Sequence, residues 1–392
     1  MKEIMIDRTY KKQQAGFVSL FTVIFFTLLI TVITVSFLGV VITEQQQSLN
    51  NDLTASALNA AESGIEDAKR VILAYFNMPN GTTKTTLFSA LTSSQCNALS
   101  SDPTAQSLGV SNNGSVTGQA NLNQYYTCLT VNLFSPNYTA NSSAGKSVFI
   151  PLVGQSNYNQ LVVSWHLVSN TVGKDGDGRP GKYVSSPTVL PQVTGNGSSW
   201  SANGYPAYLR VELYGYPTGN FARSDISDRT RSLFLVPSVV GANTAIKLDA
   251  ADPLPHQFDT DKSALQPIQC SATPATVAVG TYACTAAISL PGAASFNTAN
   301  NSYFLRVTPL YGPTHFSVAL RDGNSGNSVN FNGVQPIIDV TGKAGDVYRR
   351  VQARVVLGNI ANLPEYAAES AGDICKNMVI SDGKYFQPNN CP

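Results

Sequence analysis

The polar and apolar positions divide the chain into three stretches with different periods. From Phe17 to Thr43 runs FVSLFTVIFFTLLITVITVSFLGVVIT, 27 residues without a charge or a proline. About 20 apolar residues span a hydrocarbon core, so this segment predicts a helix long enough to cross a bilayer. From Glu44 the chain turns polar but keeps a helical period. Leu49, Leu53, Ala57, Ala60, Gly64, Ala68, Val71 and Tyr75 recur at steps of three and four and form one stripe. Met78-Pro79-Asn80-Gly81 supplies the stop. A helix over 17–78 would be roughly 90 Å long at about 1.5 Å per residue.

After Pro79 the period changes from helical to β. Thr127–Phe134, Leu161–Leu167, Tyr208–Tyr214, Ser232–Val239, Tyr303–Thr308, Phe316–Leu320 and Val347–Leu357 are short and rich in Val, Leu, Tyr and Phe. Gly, Pro and Asn bound them, which predicts strands. Residues 241–269 hold fewer strand signals and include Asp252-Pro253-Leu254-Pro255. A boundary is expected there, with β-rich lobes over 79–245 and 246–392. YLRVELYG (208–215) and YFLRVTPLYG (303–312) resemble each other. They mark either a duplicated lobe or merely similar strands, and the second reading is the simpler. The expected fold class is α+β: a long N-terminal helix followed by a β-rich head.

Composition narrows the setting. Apolar residues make up 43% of the 392, enough for a sizeable core, while charged residues are only 12% and net charge is +1. General attraction to nucleic acid or acidic lipid is therefore not expected. Six cysteines, Cys96, Cys128, Cys270, Cys284, Cys375 and Cys391, all follow the apolar run and form no C-x-x-C pair. That spacing argues against zinc ribbons and thioredoxin-type sites. Sequential pairing closes the shortest loops and gives Cys96–Cys128, Cys270–Cys284 and Cys375–Cys391. Disulfides point to an oxidising compartment. Lys2, Arg8, Lys11 and Lys12 precede the apolar run and hold its start inside, so the body after Glu44 lies outside.

The junction Lys11-Lys12-Gln13-Gln14-Ala15-Gly16-Phe17-Val18-Ser19-Leu20 resembles the type IV prepilin leader: basic residues, a glycine, then an aromatic opening the helix. In that family a membrane peptidase cuts after the glycine and methylates the new amino terminus. The resemblance makes 1–16 the leader, Gly16 its last residue and Phe17 the first mature one. Ala60-Ala61-Glu62-Ser63-Gly64-Ile65-Glu66 is similar to a segment of PilX-type minor pilins, and the resemblance covers residues 11–76. Major pilins usually carry glutamate at the fifth mature position, which here is Phe21. That departure is shared with tip subunits and points to a tip or priming role. The implied partners are the prepilin peptidase, the cytoplasmic membrane and other pilin-like subunits. A surface, cell or DNA ligand of the head is left open. The 375–391 loop also resembles the disulfide-bounded loop of many pilin heads.

Other motifs lead elsewhere. Gly176-Asp177-Gly178-Arg179-Pro180-Gly181-Lys182 has P-loop spacing, but Tyr183 stands where a Ser or Thr would hold Mg²⁺, and the segment reads as a turn. Asp175 and Asp177 offer two carboxylates to Ca²⁺, yet the third acid and the terminal glutamate of an EF-hand are missing. A solvated turn is the expectation, with no resident metal or cofactor. His166, His256 and His315 lie far apart, without H-E-x-x-H or G-x-S-x-G. No catalyst is expected. Two alternatives remain: an uncleaved membrane-anchored adhesin, and an anchored enzyme whose site brings those histidines to carboxylates.

Overall fold

A computed structural model describes residues 15–96, 98–110, 123–167, 205–217, 231–238, 246–247, 265–270, 281–290 and 301–356. The helices are α1 Ala15–Asn77, α2 Thr82–Leu91 and α3 Pro103–Ser107. The strands of the first half are β1 Gln124–Ser135, β2 Tyr138–Ser142, β3 Val148–Pro151, β4 Gln160–Leu167, β5 Tyr208–Pro217 and β6 Arg231–Ser238. Those of the second half are β7 Ile246–Lys247, β8 Leu265–Gln269, β9 Tyr282–Ser289, β10 Asn301–Leu310, β11 Thr314–Arg321, β12 Ser328–Val329, β13 Phe331–Ala344 and β14 Val347–Arg354. The α+β expectation, a long apolar helix followed by a β-rich region, matches this order.

The chain forms two compact units. One holds residues 1–132 and 338–353, the other 133–337 and 354–392. The expected boundary at 245/246 does not separate them. One sheet of the second unit joins β5 and β6 to β8 and β10, and the other joins β4 to β9 and β11, so a cut there passes through both. The DPLP segment looked like a boundary because local pattern carries no record of which strands pair across it.

In the helix–sheet unit, α1 packs on a sheet of order β1-β13-β14. Its buried positions are Ala57, Ala60, Ala61, Gly64, Ile65, Ala68, Val71 and Ile72. Steps of three, four and one keep them on one face. Small residues dominate, so the sheet comes close. A Cβ on Gly64 would stand 2.7 Å from Val340 Cγ1 and 3.1 Å from Tyr126 Cδ1. A Cβ on Gly342 of β13 would run into the Ala57 carbonyl oxygen and stand 2.6 Å from Ala61 N. Even-numbered Ile338, Val340, Gly342 and Ala344 are buried, while Asp339, Thr341 and Lys343 are only partly so. Gly345 turns β13 into β14 at φ 56°, a left-handed conformation that costs glycine little.

The helix ends where the sequence places the stop. Lys84 Nζ donates to the Met78 carbonyl at 2.9 Å and stands 5.3 Å from the centre of the Tyr75 ring. It thereby satisfies a carbonyl left open just past the last turn. After Pro79 the chain is not purely β, because α2 and α3 follow first. Threonine-rich TTKTTLFSAL in α2 has no strong helical propensity, but burying Leu87 and Leu91, four apart, selects the helix. Asp102 caps α3: its Oδ1 accepts from Thr104 N at 2.9 Å and Ala105 N at 3.0 Å, with Pro103 in the first turn.

The other unit is a β-sandwich. One sheet runs β3-β10-β5-β6-β8, and the other runs β12-β11-β4-β9-β7 with β2 also on β11. Period-two alternation turns Leu209, Val211 and Leu213 of β5 inward, against Leu161, Val163 and Trp165 of β4 and Phe316, Val318 and Leu320 of β11 in one core. Trp165 is fully buried and donates Nε1–H to the Ala207 carbonyl at 3.1 Å, which removes the cost of its polar atom. The two look-alike segments are neighbours: β5 and β10 pair antiparallel, with Leu213 opposite Leu305 and Val211 opposite Val307. They are similar strands of one sheet rather than equivalents in duplicated lobes.

Candidate anchoring and assembly surface

The apolar half of α1 is exposed along its length. From Leu20 to Ile42, sixteen large apolar side chains stand exposed, among them Phe21 and Phe37 at 66% each. Burying one such side chain fully is worth about 1.5–3 kcal/mol, so the row represents tens of kcal/mol. A folded domain is held by only about 5–15 kcal/mol. Water is therefore a poor surrounding for this segment, and lipid or other apolar helices are good ones. The helix is long and apolar enough to cross a membrane by length and composition. Its 17–43 stretch rises about 40 Å, against a hydrocarbon core of about 30 Å.

The threonines in this run are compatible with an apolar surrounding. Thr27 Oγ1 donates to the Ile24 carbonyl at 2.9 Å, Thr31 to Leu28 at 2.8 Å, Thr34 to Ile30 at 2.6 Å and Thr43 to Gly39 at 2.9 Å. Each of these four hydroxyls is satisfied within the helix, so none of the four needs water. Gly39 would tolerate a Cβ, with nothing within 4 Å of it. Gly16 and Phe17 lie in the backbone of the first turns of α1, and the rest of the expected leader lies outside the described residues.

Beyond Glu44 one face of α1 meets the sheet and the other carries charge. Glu44, Asp52, Glu62 and Glu66 are exposed. Asp67 is different. Its Oδ2 accepts from the Tyr126 hydroxyl at 3.2 Å, and Arg70 stands 3.3 Å from its other oxygen. Burial nevertheless outweighs the Tyr126 hydrogen bond and the Arg70 charge, and holds this carboxyl above the ordinary aspartate range. Arg70 also donates to the Leu108 carbonyl at 2.7 Å, which ties the end of α3 to the helix. On the other face of the sheet, the Lys343 ammonium lies 5.6 Å from the centre of the Tyr125 ring and 5.4 Å from that of Tyr348.

Two of the three expected cysteine pairs stand at bonding distance. Cys96 and Cys128 have Cα atoms 4.6 Å apart and fasten the α2–α3 region to β1. Cys270 and Cys284 have Cα atoms 4.3 Å apart. Cys270 follows β8 of one sandwich sheet and Cys284 lies on β9 of the other, so this bond stitches the two sheets. Cys375 and Cys391 lie outside the described residues, as do Asp175, Asp177 and His256. His166 is buried on β4 and His315 is exposed on the neighbouring β11. Among the described residues, no three His, Cys, Asp or Glu side chains are grouped to hold a metal.

One charged cluster escaped the sequence pattern. Glu212 on β5 is 3% exposed. Its Oε1 accepts from Arg210 at 2.7 Å and from the Tyr214 hydroxyl at 3.2 Å, and Oε2 stands 3.6 Å from Arg306 Nε. Arg306 is opposite Glu212 in the β5–β10 register and also donates to Ser147 at 2.8 Å. Cross-strand opposition creates the pair, and sequence alone does not give which residues oppose. No family model, no curated protein and no solved structure matches the chain.

Proposed function

We propose that this chain is a minor subunit, of the tip or priming kind, in a type IV pilus or related pseudopilus. The observation that carries the proposal is the two-part helix: a half exposed on every side and apolar, continuous with a half seated on its own sheet. The first half enters the cytoplasmic membrane. After a prepilin peptidase cuts between Gly16 and Phe17, it moves into a fibre and buries against the helices of other pilin-like subunits. The β-rich body stays outside as a head and meets a surface, a cell or DNA. The role is structural, with no reaction assigned to any residue.

Phe21 supports the minor-subunit reading. Cleavage leaves an ammonium on Phe17, and the first carboxylate along the chain is Glu44, about 40 Å away on a helix. A second copy has no closer acid to offer, so the pairing carboxylate comes from a different subunit. The same helix would also serve an uncleaved adhesin that never polymerises. The mass of the mature N-terminal peptide separates the two. A start at N-methylated Phe17 is expected, and Gly16→Leu should block it. Retention of Met1 to Gly16 in the wild-type chain overturns the pilin reading and leaves the anchored adhesin.

A further inference from the structure

We draw no further inference here: the strongest candidate, the outward face of β3, β10 and β5 in the sandwich unit, where Phe149, Phe304 and Tyr214 surround the Glu212–Arg306 pair, carries nothing, because its charged groups are spent on one another and nothing in the structure shows what covers it.

Discussion

The two halves of α1 are one continuous helix built to opposite specifications. Between Leu20 and Ile42 sixteen large apolar side chains are exposed around the helix. Between Ala57 and Ile72 the buried ones are mostly alanine and glycine, confined to a single face. Large apolar residues all round suit a surrounding that is apolar but unspecific in shape, such as acyl chains or several neighbouring helices. Small residues on one face suit a single partner held at one distance, because backbone then approaches backbone. Overall polarity separates the two halves along the sequence, and side-chain volume separates their apolar surfaces.

The strongest way to break this contrast is to add volume where the upper half has none to spare. Gly342→Leu drives a side chain into the Ala57–Ala61 backbone. It should cost about 3 kcal/mol or more, at or beyond the upper end of ordinary overpacking, read as a lowered denaturation midpoint of the detergent-solubilised chain. Gly39→Leu adds the same volume to the lower half, where space is open, and should leave that midpoint unchanged. A midpoint equally lowered by both would mean that close approach does not distinguish the halves.

Charge tests the other side. Ile30→Lys in the apolar run should cost about 2.5–3.5 kcal/mol on insertion scales and shift the protein from the membrane fraction to the soluble or degraded one. Glu62→Lys on the exposed face of the upper half should not change that partition. A smaller effect is expected from Tyr126→Phe, which removes the hydroxyl that donates to Asp67. Loss of that bond should cost about 1–2 kcal/mol in chemical unfolding, since the half-buried carboxylate loses a donor.

The smallest effect concerns pH. Burial, above all, holds the Asp67 carboxyl above the ordinary aspartate range. The folded state therefore binds this proton more tightly than the unfolded state. Its contribution to stability is fully present below the unfolded value and is lost as pH rises through the folded one. Asp67→Asn removes that dependence, so its stability relative to the wild type should improve as pH rises from below the ordinary aspartate range through the raised folded value. A difference that stays flat or falls over this range would mean that the Arg70 and Tyr126 contacts outweigh burial.

Much of this contrast was legible in the sequence. The absence of charge from Phe17 to Thr43 and the three–four stripe fixed the helix to within two residues at its start and one at its end. Five of the eight stripe residues, Ala57, Ala60, Gly64, Ala68 and Val71, are buried, and Leu53 and Tyr75 are half-buried. Leu49 remains exposed at 59%: the period continues through it, but the burial does not. Strands with compact Val, Leu and aromatic runs, such as β4 and β11, were readable. β13 was not, because Gly333, Pro336 and Gly342 look like breaks. Gly342 is there to let the helix in, a reason that sits on a different segment of the chain. β9, YACTAAIS with its alanines, has weak strand propensity and is held by pairing on β4. The junction at Gly16–Phe17 was legible only through resemblance, since the chemistry proposed for it belongs to another protein.

The sheet that receives α1 takes its strands from both sides of a long excursion, with β1 ending at Ser135 and β13 beginning at Phe331. This has a consequence in time. A ribosome adds about 5–20 residues per second, so the alanine–glycine face of the helix waits roughly 15–60 s for residues 338–353 to be made. During that wait, every strand of both sandwich sheets, the last ending at Val329, has already been synthesised. Of the described elements, α1 thus comes before all the others and receives its sheet last. Whatever shelters the helix in the interval, whether a bilayer or a chaperone, acts before the protein has any sheet of its own to offer it.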